Sequence, residues 1–170
     1  MVPAVVGGQR AWPSNVAGWR IVEIVPGVGL PMVRLGQTLQ DIEAVAGPAV
    51  VEESRRALWG GHSPPFGAYF DAAATCNLIE VYASDCDVDG VTLGGVLLLG
   101  RLMDDVMGDL ERSGLAGRTT CLTVDYDDGF TLWSLGELMP QQDLNATRQG
   151  TYVEGIAISR LAKVPDGVLV

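Results

Sequence analysis

Histidine occurs once, as His62, and that scarcity narrows the chemistry. A Ser-His-acid triad needs its histidine, so any such site would have to use this one. His62 stands beside Ser63 in WGGHSPPFG, a loop-like segment in which the sequence places no acid and no second nucleophile. Cysteine is nearly as scarce. Cys76, Cys86 and Cys121 are odd in number and lack CxxC spacing, which argues against a disulfide framework and a zinc centre and for a reduced, cytoplasmic setting. Cations are outnumbered, 11 Lys and Arg against 21 Asp and Glu, for a formal charge of −10. Such a surface repels nucleic acid and anionic membranes and attracts a basic partner; equally, it keeps a protein soluble. No apolar run is long enough to cross a bilayer. The opening MVPAVVGGQR lacks a basic region followed by a sustained apolar run, so no secretory signal is expected. No Walker sequence occurs, and GVG at 27–29 lacks the third glycine of a dinucleotide fingerprint. No cofactor is expected.

What the chain does have is apolar residues (48%) and glycine (22 residues), enough for a packed core with many tight turns. Residues 1–18, with Pro3, Gly7, Gly8, Pro13 and Gly18, read as a loosely ordered arm, and 19–170 as one domain. WRIVEIV alternates like a strand and ends at Pro26-Gly27. A helix follows over QTLQDIEAVAG. Thr38 can cap it, with Asp41 as reciprocal partner; Leu39, Ile42, Val45 and Ala46 share a face, and Gly47-Pro48 stops it. RRALWGG, GAYFDAA and NLIEVYAS read as strands. The sequence then starts over, with VTLGGVLLLG as a strand pair or bent strand. RLMDDVMGDLERSG is a helix with Leu102, Met103, Val106, Met107 and Leu110 in one stripe and Asp104 and Asp105 in its first turn. TTCLTVDY, FTLWSLG and TYVEGIAIS follow as strands. An offset of 64 lays Leu35, Gly36 and Asp41 on Leu99, Gly100 and Asp105. The expected fold is therefore α+β: two similar halves, about 19–84 and 91–160, each a helix packed on an antiparallel sheet.

DCDVDG at 85–90 begins like an EF-hand loop, but the twelfth position, which needs a bidentate acid, is Val96, and strands rather than helices flank it. It reads as an acidic turn joining the halves, with aspartates bonding nearby amides. Candidate partner-binding residues are the aromatic loop residues Trp59, His62 and Phe66 and the turn acids Asp85, Asp87, Asp89, Asp125, Asp127 and Asp128. The aromatics offer anchors and the acids electrostatic steering. Against that, Trp59 and Tyr69 also fit core strand positions, the reading the strand pattern favours.

The run VRLGQTLQDIEAVAGP, with strands after it, then GVLLLGRLMDDVMGDLERSG and FTLWSLGELMP, resembles small bacterial immunity-type proteins found beside polymorphic toxins. It brings no catalytic motif. The LG…DI…GP element is similar to BamE-type modules, a tandem of which forms secreted β-lactamase inhibitor proteins. The chain departs from those inhibitors in lacking an export signal and paired cysteines. The resemblance implies a non-enzymatic protein that binds and neutralises a toxin, a basic one on grounds of charge. A small hydrolase using carboxylates and a BamE-like assembly module are the alternatives.

Overall fold

The computed structural model describes residues 5–6, 9–10, 20–52, 55–62, 64–83, 89–120, 123–134 and 151–160. Within the expected N-terminal arm, β1 (Val5–Val6) pairs with β2 (Gln9–Arg10). The strand read from WRIVEIV is β3 (Arg20–Glu23), followed by a small hairpin of β4 (Gly29–Leu30) and β5 (Val33–Arg34). Helix α1 (Leu39–Ala46) comes next, then four strands: β6 (Val50–Glu52), β7 (Arg56–Trp59), β8 (Phe66–Phe70) and β9 (Cys76–Tyr82). A second hairpin, β10 (Asp89–Leu93) and β11 (Val96–Leu97), precedes helix α2 (Met103–Arg112). Four more strands follow it: β12 (Gly117–Thr119), β13 (Thr123–Tyr126), β14 (Phe130–Trp133) and β15 (Gly155–Ser159).

The architecture is α+β and mostly sheet. Eight antiparallel strands form one sheet in the order β12-β13-β14-β15-β9-β8-β7-β6. The two runs of four strands meet at its centre, where β9 pairs with β15 and Glu80 lies opposite Ala157. A three-stranded sheet joins β3 in parallel to β10, with Asp89 opposite Arg20. Asp89 and Gly90, which the sequence placed in an acidic turn, thus belong to a strand, and residues 84–88 lie outside the described residues. The partner of that strand lies about seventy residues earlier, so local composition could not reveal it.

Helix α1 begins as the sequence dictates. The Asp41 amide donates to Thr38 Oγ1 (3.2 Å) and the Thr38 amide to Asp41 Oδ2 (3.0 Å), a reciprocal cap that holds the Asp41 carboxyl below its ordinary pKa. Gly47 ends the helix at φ +82°. Ile42 is fully buried, but Val45, expected on the same stripe, is 66% exposed. Eight residues give barely two turns, and only a narrow strip of them reaches the core. On α2, Met103, Val106 and Leu110 are buried and Asp104 and Asp105 exposed, as the periodicity requires.

Both helices pack on one face of the large sheet. Ile42, Val106 and Leu110 share a cluster with Trp59, Phe66, Ile79, Val81, Tyr126, Phe130, Leu132, Ile156 and Ile158. The opposite face carries a separate cluster of Leu78, Trp133 and Ala157 with Tyr69 and Tyr82 against it, to which neither helix contributes. Strand residues alternate between faces, so this second face is read off the register. Its middle row runs Val50, Leu58, Gly67, Glu80, Ala157, Thr131, Asp125, Arg118 across all eight strands.

Candidate functional site

The centre of that second face holds an acid among aromatics. Glu80 is 3% exposed and lies on β9 between Leu78 and Tyr82, its same-face neighbours. Its Oε2 accepts the Tyr69 hydroxyl at 3.0 Å and also the Tyr82 hydroxyl. The Arg56 guanidinium, from β7, stands 3.6 Å from the same oxygen, donates to the Tyr82 hydroxyl, and reaches Glu52 at 3.3 Å. It also lies 5.3 Å from the Tyr69 ring centroid and 5.8 Å from that of Tyr82, within cation–π range. Burial and the neighbouring Glu80 carboxylate push the Tyr69 phenol up to about 12, and burial and the bond to Glu80 push Tyr82 higher still. Both therefore remain neutral hydroxyl donors at ordinary pH.

Small residues make room for this cluster. Gly155 faces Tyr82 across the central strand pair, and the Trp133 indole lies so close that a Cβ on Gly155 would come within 2.0 Å of it. Trp133 then meets Tyr82 edge to face at 5.9 Å. On the other side a Cβ on Gly67 would come within 3.0 Å of Leu58 and 3.4 Å of the Tyr82 oxygen. Two buried donors here, Arg56 Nε and Trp133 Nε1, have no acceptor among the described residues. Tyr69, Tyr82, Arg56 and Leu58 are half-buried and rim the site, while Leu78, Ala157 and Trp133 form its floor. Neutral hydroxyls, a fixed guanidinium and aromatic edges suit recognition of a mixed polar and apolar surface.

The sequence-expected residues fall elsewhere. Trp59 and Phe66 are 2% and 1% exposed and stack on each other at 4.9 Å on the helix face. Trp59 Nε1 donates to the Gly47 carbonyl at 2.9 Å. They are core residues, and neither offers an anchor to a partner, because both rings point into the core that the helices cover. His62 is half-buried against Phe66, and its Nε2 donates to the Ala46 carbonyl at 2.7 Å, tying the β7–β8 loop to the end of α1. Asp125 is not in a turn: it sits in β13, 8% exposed, accepting from Thr131 Oγ1 at 2.9 Å. Asp127 and Asp128 are exposed in the β13–β14 turn, with Arg118 2.6 Å from Asp127. Asp89 begins β10, and Asp85 and Asp87 lie outside the described residues. Of the described acids in this set, Asp125 shares a row with Glu80 but stands three strands away, on β13.

Reading by motif passed over Glu80, Tyr82, Arg56 and Trp133. One signal was present. Glu80 interrupts the apolar run Leu78-Ile79-Glu80-Val81, and an acid inside a strand buried on both faces requires partners.

Among the described residues no group of histidine, cysteine and acidic side chains could hold a metal ion, and no helix is long and apolar enough to cross a membrane. The chain matches no protein-family model, no curated protein and no solved structure.

Proposed function

We propose that this chain is a cytoplasmic protein-binding protein of the immunity type, a tandem of two related units, that neutralises a basic protein by laying the second face of its sheet against it. The observation that carries the reading is the cluster of Tyr69, Tyr82, Trp133, Arg56 and Glu80 at the middle of a face eight strands wide. Tyrosine, tryptophan and arginine are the side chains that most often anchor protein interfaces, and they do so near the centre. The formal charge of −10 favours a basic partner.

The tandem reading rests on repeated registers. The bridge between Thr38 and Thr75 recurs between Leu102 and Tyr152. The Gly36 amide bonds the Cys76 carbonyl as the Gly100 amide bonds that of Val153. Trp59 pairs and stacks with Phe66 as Tyr126 does with Phe130. Phe66 to Phe130, like Thr38 to Leu102, is a step of 64 positions, the offset of the sequence repeat. In the hairpins the step is 63: the Leu35 amide bonds the Val28 carbonyl as the Leu98 amide bonds that of Val91. One inserted residue after Leu98 explains why Leu35 aligns with Leu99 in sequence.

A photo-crosslinking residue at Val50 or Arg118, the exposed ends of the middle row, should capture a basic protein. The same residue at Asp104 on α2 should not. The captured protein, purified, should lose its activity at equimolar chain, and Tyr82→Ala should weaken that inhibition. Capture from Asp104 alone, or a captured protein whose activity the chain leaves unchanged, defeats the reading.

A further inference from the structure

A cleft of ≈ 330 Å³ opens beside Tyr69, lined among others by Phe70, Thr75, Asn77, Leu78 and Arg160. We propose that it binds a small organic carboxylate carried on an apolar body, and that Arg160 receives the carboxylate. This goes beyond the protein-binding reading and does not depend on it.

Arg160 is the first reason. Among the described residues Arg34, Arg55 and Arg160 have no carboxylate within 4.0 Å, whereas Arg56, Arg101, Arg112 and Arg118 each have one, and of the three Arg160 is the one that lines the cleft. A cation without a carboxylate partner, lining a cleft of a protein with formal charge −10, is a site for an anion. The arginine is also held. Its Nη2 donates to the Leu35 carbonyl at 3.4 Å, which leaves the rest of the guanidinium fork for a planar carboxylate. Gly36 makes this placement possible: its φ of +88° suits glycine, and a Cβ there would lie 2.7 Å from Arg160 Nη2. A Cβ on the corresponding Gly100 would meet nothing within 4 Å, so close approach of an arginine is particular to this end of the sheet.

The walls are the second reason. Leu78 and Phe70 give apolar surface, and the exposed Asn77 gives an amide that can donate to an oxygen. The acid in the cleft, Asp71, does not compete for Arg160. Its carboxylate is turned to its own loop, accepting the Ala73 and Thr75 amides at 2.9 and 3.0 Å and the Thr75 hydroxyl at 2.9 Å. A cleft of this size, mostly apolar with a few convergent polar groups, is at the small end of ligand sites.

The test uses the full chain and three probes: phenylacetate, its neutral amide and phenethylamine. Affinity is expected in about the millimolar range, as for any ligand of so few atoms. Phenylacetate should shift the backbone resonances of Asn77, Leu78 and Arg160 saturably, and the amide and amine should not. Arg160→Gln, whose fold is checked by circular dichroism, should weaken phenylacetate at least about tenfold, the lower range for losing a charged hydrogen bond. Arg160→Lys should retain part of the binding. Equal binding of acid and amide, unchanged binding by Arg160→Gln, or no saturation overturns the proposal. Since no partner protein enters the assay, its failure leaves the interface reading untouched.

Discussion

Replacing Glu80 by alanine should be among the most damaging single changes on the second face. The carboxylate is 3% exposed and serves three groups: the hydroxyls of Tyr69 and Tyr82 and the Arg56 guanidinium. Truncating one partner of a buried pair costs about 3–5 kcal/mol, because the remaining charge is stranded. Arg56 keeps Glu52 at 3.3 Å and is 22% exposed, so the lower part of that range applies, about 3 kcal/mol. For a domain of this size that is a fall in Tm of roughly 6–12 °C. Glu80→Gln retains an acceptor for the hydroxyls and should cost about half as much. The informative partner is the double change Arg56→Met with Glu80→Leu. Removing both charges leaves nothing stranded, and apolar replacement of such pairs is often neutral or stabilising. Urea denaturation of the four proteins gives the comparison. A loss under about 1 kcal/mol for Glu80→Ala would show a solvated network and refute the buried-cluster argument. A stable double variant that no longer inhibits the partner would show that the ion pair is kept for recognition.

Alkaline titration should destabilise the fold. Tyr69 and Tyr126 are pushed up to about 12 and Tyr82 beyond, against an ordinary value of 10, so the unfolded chain releases protons first. Stability is fully present below pH 10 and falls as pH rises towards 12, and the tyrosinate absorbance of these residues should appear together with unfolding. Gly155→Ala should drive the Trp133 ring from its seat, with a loss of about 1–3 kcal/mol or more and a changed near-ultraviolet dichroism. Val106→Asp buries a charge at a fully enclosed position of α2 and should leave no cooperative unfolding transition. Neutralising Asp127 and Asp128 should slow association with the partner and flatten its salt dependence, with dissociation nearly unchanged, in stopped-flow kinetics.

The parts of the fold legible in the sequence are those with local causes. The α1 cap was legible because Thr38 and Asp41 lie three residues apart, and the α2 stripe because Met103, Val106 and Leu110 follow the helical period. Longer strands showed through runs of branched and aromatic residues. The β4–β5 hairpin did not, since two-residue strands contain no period. TTCLTVDY read as one strand, yet β12 ends at Thr119 and β13 begins at Thr123, with the Thr120 amide bonded to the Thr123 carbonyl at 2.8 Å. Trp59 and Phe66 read as aromatic loop residues, but a strand sequence does not say which face is covered, and they lie in β7 and β8 on the helix side.

The site itself depends on a pairing that no local reading contains. Glu80 and Tyr82 come from β9, Tyr69 from β8 next to it, Arg56 from β7 one strand further on, and Trp133 from β14 beyond β15. Sheet strands lie about 4.8 Å apart, so four strands alone span only about 14 Å, while eight span about 34 Å. With strands of roughly 17 Å, the narrower face covers about 240 Å² in projection and the wider about 580 Å². A standard interface uses about 800 Å² of accessible surface per partner, which exceeds flat projection because side chains stand out from it. The wider face comes near that size and the narrower does not. Joining β9 to β15 therefore does two things at once: it more than doubles the span of the second face, and it seats Tyr82 against Gly155 so that Trp133 can complete the aromatic centre. Disrupting that one strand pair, with the helices left intact, should remove binding altogether rather than halve it.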